Sequence, residues 1–253
     1  MTSPTEKPFY VGYLPTPPGL KLFLLGVSAV LIGMFAGLAV IIGAGQDNPG
    51  EGSFRWDWGA QTVTGIVELK PYPVLHVTKG SQKIPTGKSL LLSAGGKNGM
   101  QKRLAKFDGK SVSLKGIALQ RGDIDAMQVG GGKDSIKVAA GNVEKIDVKP
   151  LGRWRLKGEI CDGKCLAGAM RPSRGLAHRA CANLCLIGGV PPVFVSSGQV
   201  DGSEFFLLAN KDGEPLPNKY LQHVAVYVQL DGDVERRGRM LIFKVDLDSL
   251  KVL

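Results

Sequence analysis

Two matching stretches decide the fold: residues 112–122, VSLKGIALQRG, and residues 228–238, VQLDGDVERRG. Both follow the pattern V-x-L-x-G-x4-R-G without a gap, and Val129 and Val245 continue the match in the same register. Alternating apolar and polar residues are typical of half-buried strands, and the inner glycine permits a bulge or a sharp bend. The repeat therefore predicts two β units of common plan within one chain.

Weaker matches extend the duplication in both directions. They pair residues 63–67 with 156–160, 73–75 with 192–194, 89–92 with 204–207, and 134–138 with 248–252. Five or so short, strongly bent strands in each unit favour a small closed barrel. We predict two tandem OB-like β-barrels, over residues 61–150 and 151–253. The alternative is a pair of unrelated β-meanders.

An uncharged apolar run precedes these units. Residues 22–45 read LFLLGVSAVLIGMFAGLAVIIGAG, long enough as a helix to cross a hydrocarbon core of roughly 30 Å. A cleaved signal peptide is the alternative, but its apolar core usually has only about 7–15 residues. The predicted fold class is therefore mainly β, with one N-terminal transmembrane helix and a linker at residues 46–60.

The charges beside the apolar run predict its orientation. Lys7 and Lys21 precede it, while Asp47 and Glu51 follow it. The positive-inside rule then places the Tyr/Pro-rich segment 1–21 in the cytoplasm. We expect a single-pass protein of a bacterial inner membrane, with its C-terminal body in the periplasm.

Small residues recur on one side of the predicted span. Ala29, Gly33 and Gly37 are spaced by four, which gives a flat strip where another helix can approach closely. The alternative is that these are ordinary span residues, because glycine and alanine are common in membrane helices. The strip predicts a helix-packing site for another membrane subunit.

Composition narrows the function. The 253-residue chain carries a formal net charge of +10. No Lys/Arg run is interleaved with stacking aromatics, so we expect membrane headgroups and partner proteins rather than nucleic acid. The sequence has no G-x-S-x-G motif, phosphate-binding glycine loop or Ser/His/Asp set. We therefore expect no catalytic activity of its own.

An insertion at residues 161–190 distinguishes the second unit from the first. It carries every cysteine of the chain, as C-x3-C-x15-C-x3-C, at Cys161, Cys165, Cys181 and Cys185. Residues 176–186 can form a helix that Gly188 and Gly189 would end. On that helix His178, Cys181 and Cys185 share one face. Long loops of this kind are usually functional.

Three interpretations of the insertion stay open. Outside the cytoplasm four cysteines usually form disulfides, with three possible pairings. Thiolates with the His178 imidazole also suit Zn²⁺, Cu⁺ or an iron–sulfur centre, and Met170 could add a thioether. Arg171, Arg174 and Arg179, with Lys164, would favour thiolates and could contact an anionic partner. The third interpretation is a redox-active dithiol.

Two segments carry a resemblance: PFYVGYLPTPPGL before the span and HRACANLCLIGGVPP in the insertion. They resemble a little-characterised group of bacterial membrane-anchored proteins with one span and a Cys/His segment in a β-rich body. That group is connected with membrane-bound oxidoreductases of the Rieske, b-type cytochrome or molybdopterin kind. The resemblance implies an accessory or structural subunit of such a complex.

The sequence thus predicts a membrane-anchored extracytoplasmic subunit of a respiratory or other redox complex, able to hold a metal in its insertion. One alternative is a metal or haem chaperone, because a span followed by a small OB barrel is similar to the periplasmic haem chaperone of cytochrome c maturation. Another is a thiol–disulfide protein using Cys181 and Cys185, although the chain lacks C-x2-C.

Overall fold

The computed structural model describes residues 16–46, 50, 52–140 and 145–253, and the chain divides into two compact units, Met1–Gly50 and Glu51–Leu253. The first unit contains helix α1, Pro18–Gln46. The helix begins four residues before the predicted span, because a proline is well tolerated in the first turn, where its missing N–H costs nothing. Lys7, Asp47 and Glu51, on which the predicted orientation partly rests, lie outside the described residues.

Helix α1 is apolar along nearly all of its length. Among the described residues it is the one helix long and apolar enough to cross a membrane, over Gly19–Gly43. A side chain added at Gly33 or Gly37 would meet nothing within 4 Å. The role of Ala29, Gly33 and Gly37 in helix packing stays a prediction.

The second unit begins with a ring of strands that we call the first barrel. Strand β5 pairs with both β2 and β6, which closes the order β5-β2-β3-β4-β6, and β4 runs parallel to β6. Two short strands, β1 and β7, add to β5 from outside, although β1 falls in the predicted linker. The elements are β1 (Ser53–Phe54), β2 (Gln61–Glu68), β3 (Val74–Lys79), β4 (Ser89–Ser93), α2 (Gln101–Leu104), β5 (Ser111–Arg121), β6 (Ile124–Val129) and β7 (Ile136–Val138).

The remaining strands form the second barrel, closed in the order β8-β9-β10-β12-β11. Its pairing scheme matches that of the first barrel, including a parallel pair, β10 with β12. Between β8 and β9 the chain forms the short helix α3. The elements are β8 (Val148–Asp162), α3 (Arg179–Ile187), β9 (Pro192–Val200), β10 (Ser203–Asn210), β11 (Tyr227–Arg237) and β12 (Met240–Val252).

The two copies of the sequence repeat occupy equivalent places in the two barrels. Gly116 of β5 pairs with Val129, and Gly232 of β11 pairs with Val245. A Cβ at Gly116 would collide with the carbonyl of Gln128 on the neighbouring strand. A Cβ at Gly232 would likewise collide with a backbone carbonyl on the strand beside it. These glycines let the strands bend where the partner backbone comes closest.

Each barrel has an apolar interior of its own. The first contains sixteen buried residues, Leu75, Leu114 and Met127 among them. In the second, the rings of Phe194 and Phe206 pack against Phe243, with centroids 5.7 and 6.0 Å apart. These interiors follow from the period-two alternation along each strand.

A third apolar cluster, the seam, joins the outer surfaces of the two barrels. Strand β10 shows the principle, because Phe206 and Leu208 point into the second barrel while Phe205 and Leu207 point into the seam. The seam consists of Val74, Leu91, Leu119, Ile124 and Ala126 from the first barrel, Val193, Val195, Phe205, Leu207, Ala209, Met240 and Ile242 from the second, and Cys161, Leu166 and Ala167. The β3-β4-β6 face therefore packs against the β9-β10-β12 face.

Polar contacts surround the seam. The Arg237 guanidinium donates to the Glu68 carboxylate at 2.6 Å, and the N–H of Leu216 donates to the Tyr72 hydroxyl at 3.0 Å. Burial raises the pKa of Tyr72 to about 12.

The prediction of a mainly β chain with an N-terminal apolar helix and a closed five-strand barrel is confirmed.

A candidate metal centre where the two barrels meet

The insertion leaves the second barrel at the end of β8 and returns at β9. It forms a π-helical turn, Cys165–Ala169, then a 3-10 turn, Leu176–His178, that continues into α3. Gly188 caps α3, with its N–H donating to the carbonyl of Leu184. The helix predicted from the sequence over residues 176–186 is confirmed.

These elements bring thiols and an imidazole together. The ligand atoms of Cys165, His178 and Cys181 lie within 4.8 Å of one another, as do those of Asp162, Cys165 and Cys185. The sulfurs of Cys165 and Cys185 are 4.0 Å apart. Because Cys165 belongs to both groups, the five side chains form one cluster. The structure thus assembles four of the five Cys/His candidates in one place.

The Asp162 carboxylate positions two other residues of the cluster. Its Oδ2 lies 3.0 Å from Nε2 of His178, and these side chains are only 0 % and 2 % exposed. Its Oδ1 accepts the backbone N–H of Cys165 at 2.8 Å. An ionised carboxylate can only accept, so in a neutral imidazole beside it Nε2 carries the proton and Nδ1 keeps its lone pair for a ligand. A metal-bound histidine is usually oriented in this way.

The first barrel contributes a lysine to the same place. Lys97, in the loop after β4, donates from Nζ to the sulfur of Cys181 at 2.7 Å and lies 3.7 Å from that of Cys185. In return, the buried Lys164 of the insertion donates to the carbonyls of Ala94 and Gly96, both at 2.7 Å. The cluster therefore lies where the two barrels meet.

The two sulfurs that face each other differ in acidity. The hydrogen bond with Cys185 raises the pKa of Cys165, and burial adds to the effect. The same hydrogen bond lowers the pKa of Cys185, helped by the nearby Lys97 ammonium. The hydrogen bond that Lys97 donates to Cys181 raises the pKa of Lys97. Cys185 is thus the sulfur best prepared to be a thiolate.

Cys161 and Met170, proposed as ligands from the sequence, are not brought into the cluster. Cys161 and Asp162 are neighbours at the end of β8, so their side chains point to opposite faces. Cys161 packs in the seam, where its thiol donates to Glu159 at 3.4 Å and burial raises its pKa. Met170 is 40 % exposed, unlike the buried cluster.

The arginines predicted around the thiols have other partners. Arg171 donates to the carbonyl of Gly52 and Arg179 to that of Gln222, at 3.4 and 2.6 Å, while Arg174 is exposed. Their contact with an anionic partner stays a prediction. Among the described residues, Lys97 donates a hydrogen bond to a thiol of the cluster, and no local sequence signal indicates it because it is 84 residues away from Cys181.

The arrangement of the sulfurs bears on the interpretations that the sequence left open. All four cysteines are free thiols, and 4.0 Å between Cys165 and Cys185 is about twice a disulfide bond. The sulfurs that face each other most directly therefore come from different C-x3-C pairs. The dithiol that the geometry favours is Cys165 with Cys185, rather than Cys181 with Cys185.

A second set of polar side chains also escaped the sequence analysis. His76 is buried between Ser89 and Glu68. Its Nδ1 lies 3.0 Å from the Ser89 hydroxyl, and its Nε2 lies 3.0 Å from the Glu68 carboxylate. The three come from consecutive strands and line up only when the sheet pairs, so no local sequence signal could have identified them.

The hydrogen-bonded side chains of Ser89, His76 and Glu68 contribute to the contact between the barrels. The Ser89 hydroxyl accepts the N–H of Arg239 at 3.0 Å, so it is held from the second barrel. The nearby N–H groups of Gly87 and Gly238 donate to the carbonyls of Val77 and Asp147. Neither amide can therefore stabilise an oxyanion beside Ser89. The structural role is the simpler interpretation.

No protein-family model matches the chain, no curated protein matches its sequence, and no solved structure matches its fold.

Proposed function

We propose that this protein is a membrane-anchored, non-catalytic subunit of a respiratory or other redox membrane complex. In this proposal α1 crosses a bacterial inner membrane with its N-terminus in the cytoplasm. The body lies in the periplasm, where it contacts other subunits. Its Cys/His insertion could hold a metal.

We further propose that both barrels are OB-type. If the strands of each barrel are numbered one to five, both close in the order 1-2-3-5-4, with strands three and five parallel. This five-stranded closure supports the assignment. The internal repeat then corresponds to the fourth strand of each barrel.

The observation that carries the proposal is the burial of one face of each barrel in the seam. OB-type barrels bind their ligands on the face of strands two and three. Here those strands are β3 and β4 in one barrel and β9 and β10 in the other. Both supply seam residues, such as Leu91 and Leu207, which are 2 % and 1 % exposed. A body whose binding faces are packed against each other suits a structural subunit better than a carrier.

The same burial weighs against a haem or metal chaperone, because such a protein needs an accessible surface to receive and release its cargo. A thiol–disulfide protein is the second candidate. The observation in its favour is the contact of the Cys165 and Cys185 sulfurs at 4.0 Å, with the pKa of Cys185 lowered.

The decisive experiment is purification of the full chain in mild detergent at native expression, with mass spectrometry of its partners. A subunit should co-purify with stoichiometric membrane proteins. A chaperone should purify alone and bind haem or metal reversibly. A thiol–disulfide protein should reduce insulin, and Cys185→Ser should abolish that activity while Cys161→Ser should not. A chain that purifies without stoichiometric partners would contradict the proposal.

A further inference from the structure

We propose that Cys165, His178, Cys181 and Cys185 bind one divalent metal ion of the zinc class. This inference goes beyond the accessory role, and it concerns a site within the body alone. It rests on the spacing of the sulfurs, on the buried partner of His178 and on the charges that surround the cluster.

The spacing suits one ion. Two thiolates that bind the same tetrahedral ion at about 2.3 Å lie about 3.8 Å apart. The sulfurs of Cys165 and Cys185 are 4.0 Å apart, and the ligand atoms of Cys165, His178 and Cys181 lie within 4.8 Å of one another. An iron–sulfur cluster divides its four protein ligands among two or four irons, which spreads the whole set of ligands further apart. The close packing therefore favours a mononuclear site.

The buried Asp162–His178 pair is a second and independent observation. A carboxylate with no exposed surface is costly to bury, and it is kept where it holds another group in place. Here it fixes the imidazole so that Nδ1 is available, and it also orients the backbone of Cys165. A carboxylate, a histidine and a metal in this order form a recurrent arrangement in zinc sites.

The charges of the side chains in and around the cluster favour a divalent ion. Three ligating thiolates and Asp162 bring four negative charges to the cluster. Lys97 and Lys164 bring two positive charges from its rim. A divalent ion makes this assembly neutral, whereas Cu⁺ would leave a net negative charge in a partly buried site. Three sulfurs and one nitrogen also match the ligands of structural zinc.

With four protein ligands the site is closed, as in structural rather than catalytic zinc centres. The ligands come from the turn at Cys165, from His178 just before α3, and from α3 itself. These segments lie against the first-barrel loop that carries Lys97, through the backbone contact of Gly99 with Gly188 at 2.8 Å. The bound ion therefore stiffens the insertion against the first barrel.

The test uses the full chain in detergent, reduced and kept without oxygen, and titrated with Co²⁺ and then with Zn²⁺. We expect one equivalent of Co²⁺, with the intense charge-transfer absorption of thiolate ligation and the visible bands of tetrahedral cobalt. Zn²⁺ should displace it at one equivalent. Reduction is included so that protein isolated with a disulfide is tested in its thiol form.

Cysteine variants provide a matched comparison. Cys181→Ser removes the most exposed ligand, and His178→Ala removes the imidazole. Each should lower the affinity for Co²⁺ at least about 10-fold, and Cys181→Ser should also weaken the charge-transfer absorption. Cys161→Ser makes the same chemical change four residues before Cys165, yet it should leave both the stoichiometry and the spectrum unchanged. Circular dichroism confirms that each variant is folded.

Three results would overturn the proposal. One is reduced, folded protein that binds less than one tenth of an equivalent of either ion. Another is a Cys161→Ser variant that loses as much affinity as Cys181→Ser. The third is a preference for Cu⁺ over Zn²⁺ that His178→Ala does not change. None of these results depends on whether the chain co-purifies with partners, so the proposed subunit role and the metal site fail separately.

Discussion

Asp162 and His178 form a hydrogen-bonded pair that has almost no contact with solvent, with Oδ2 and Nε2 3.0 Å apart. Asp162 ends a barrel strand, and His178 lies at the junction of a 3-10 turn and α3. The pair therefore attaches the insertion to the barrel at the point where the candidate ligands meet.

The first prediction tests this pair. Asp162→Asn keeps the size of the side chain but removes its charge, so the imidazole is oriented less strongly. The affinity of the reduced full chain for Zn²⁺ should fall about 10- to 100-fold. The free energy of unfolding should also fall by about 1–3 kcal/mol, because buried hydrogen bonds are weakened. Competition with a coloured chelator and urea unfolding measure the two effects.

Asp212→Asn is the control for this variant, because Asp212 is an exposed loop residue. It should change neither quantity. Equal Zn²⁺ affinity in Asp162→Asn and Asp212→Asn would show that Asp162 does not act on the cluster.

The second prediction concerns the close approach of the insertion to the first barrel. A Cβ at Gly188 would collide with the carbonyl of Lys97, although Gly188 itself has an ordinary φ of −72°. Gly188→Ala should therefore destabilise the body by about 1–3 kcal/mol through overpacking. Gly198→Ala is the control, since its Cβ would meet nothing within 4 Å. Thermal unfolding should separate the two variants, and equal midpoints would contradict the contact.

The third prediction concerns acid stability. Burial alone would raise the pKa of Glu235, but hydrogen bonds from Lys244 and Arg237 outweigh it and lower the pKa below its usual 4.5. A lowered pKa means that the carboxylate stabilises the fold above pH 4.5 and loses this effect as the pH falls through the folded-state value. Glu235→Gln should cost about 1 kcal/mol at neutral pH, allowing for solvent screening, and should flatten the loss of stability below pH 4.5.

Urea unfolding at several pH values measures this dependence. Asp248→Asn is the control, because the carboxylate of Asp248 is 88 % exposed and lies 3.4 Å from Lys219. Its stability profile should match that of the unchanged chain. A Glu235→Gln profile that still falls as steeply in acid would rule out this carboxylate as the cause.

The fourth prediction tests the strip on α1. If Gly33 and Gly37 contact a partner helix, Gly37→Ile should weaken the association by about 1 kcal/mol and give partial dissociation in detergent. Ala39→Ile adds bulk about 160° further around the helix and should have no effect. Quantitative co-purification compares the two, and equal yields of partner would leave the glycines as ordinary span residues.

The fifth prediction tests the orientation. A reporter fused after Leu253 should be active as alkaline phosphatase, which requires the periplasm, and dark as green fluorescent protein. Fused before Met1, the same reporters should give the opposite result. The reverse pattern at both ends would place the body in the cytoplasm and remove the expectation of disulfides.

Much of the fold was readable in the sequence because its signals are local. Apolar and polar residues alternate around Gly116 and Gly232. This alternation indicates a strand from a few residues alone, because the pleat directs successive side chains to opposite faces. Matching signals 116 residues apart, at Val129 and Val245, then indicate the same strand in two barrels. Helix α1 begins at Pro18, four residues before the predicted span, because a proline fits the first turn of a helix.

The candidate site was predictable only in part. Helical spacing alone brought His178, Cys181 and Cys185 to one face, and they do lie in the cluster. The spacing of residues does not show that the Cys161 side chain points into the seam while that of its neighbour Asp162 points into the cluster. That choice depends on which face of β8 meets the seam, a property of the packed barrels.

The sequence by itself determined a long apolar helix, two β units of common plan and a Cys/His insertion in the second. Each of these depends on the hydropathy or spacing of residues close together in the chain. Tertiary structure decided that the outer faces of the barrels bury each other, that Lys97 reaches Cys181 across 84 residues of chain, and that Asp162 supports His178. The physical reason is that apolar faces and charged side chains have no partner until the barrels pack, and one-dimensional spacing does not specify that packing.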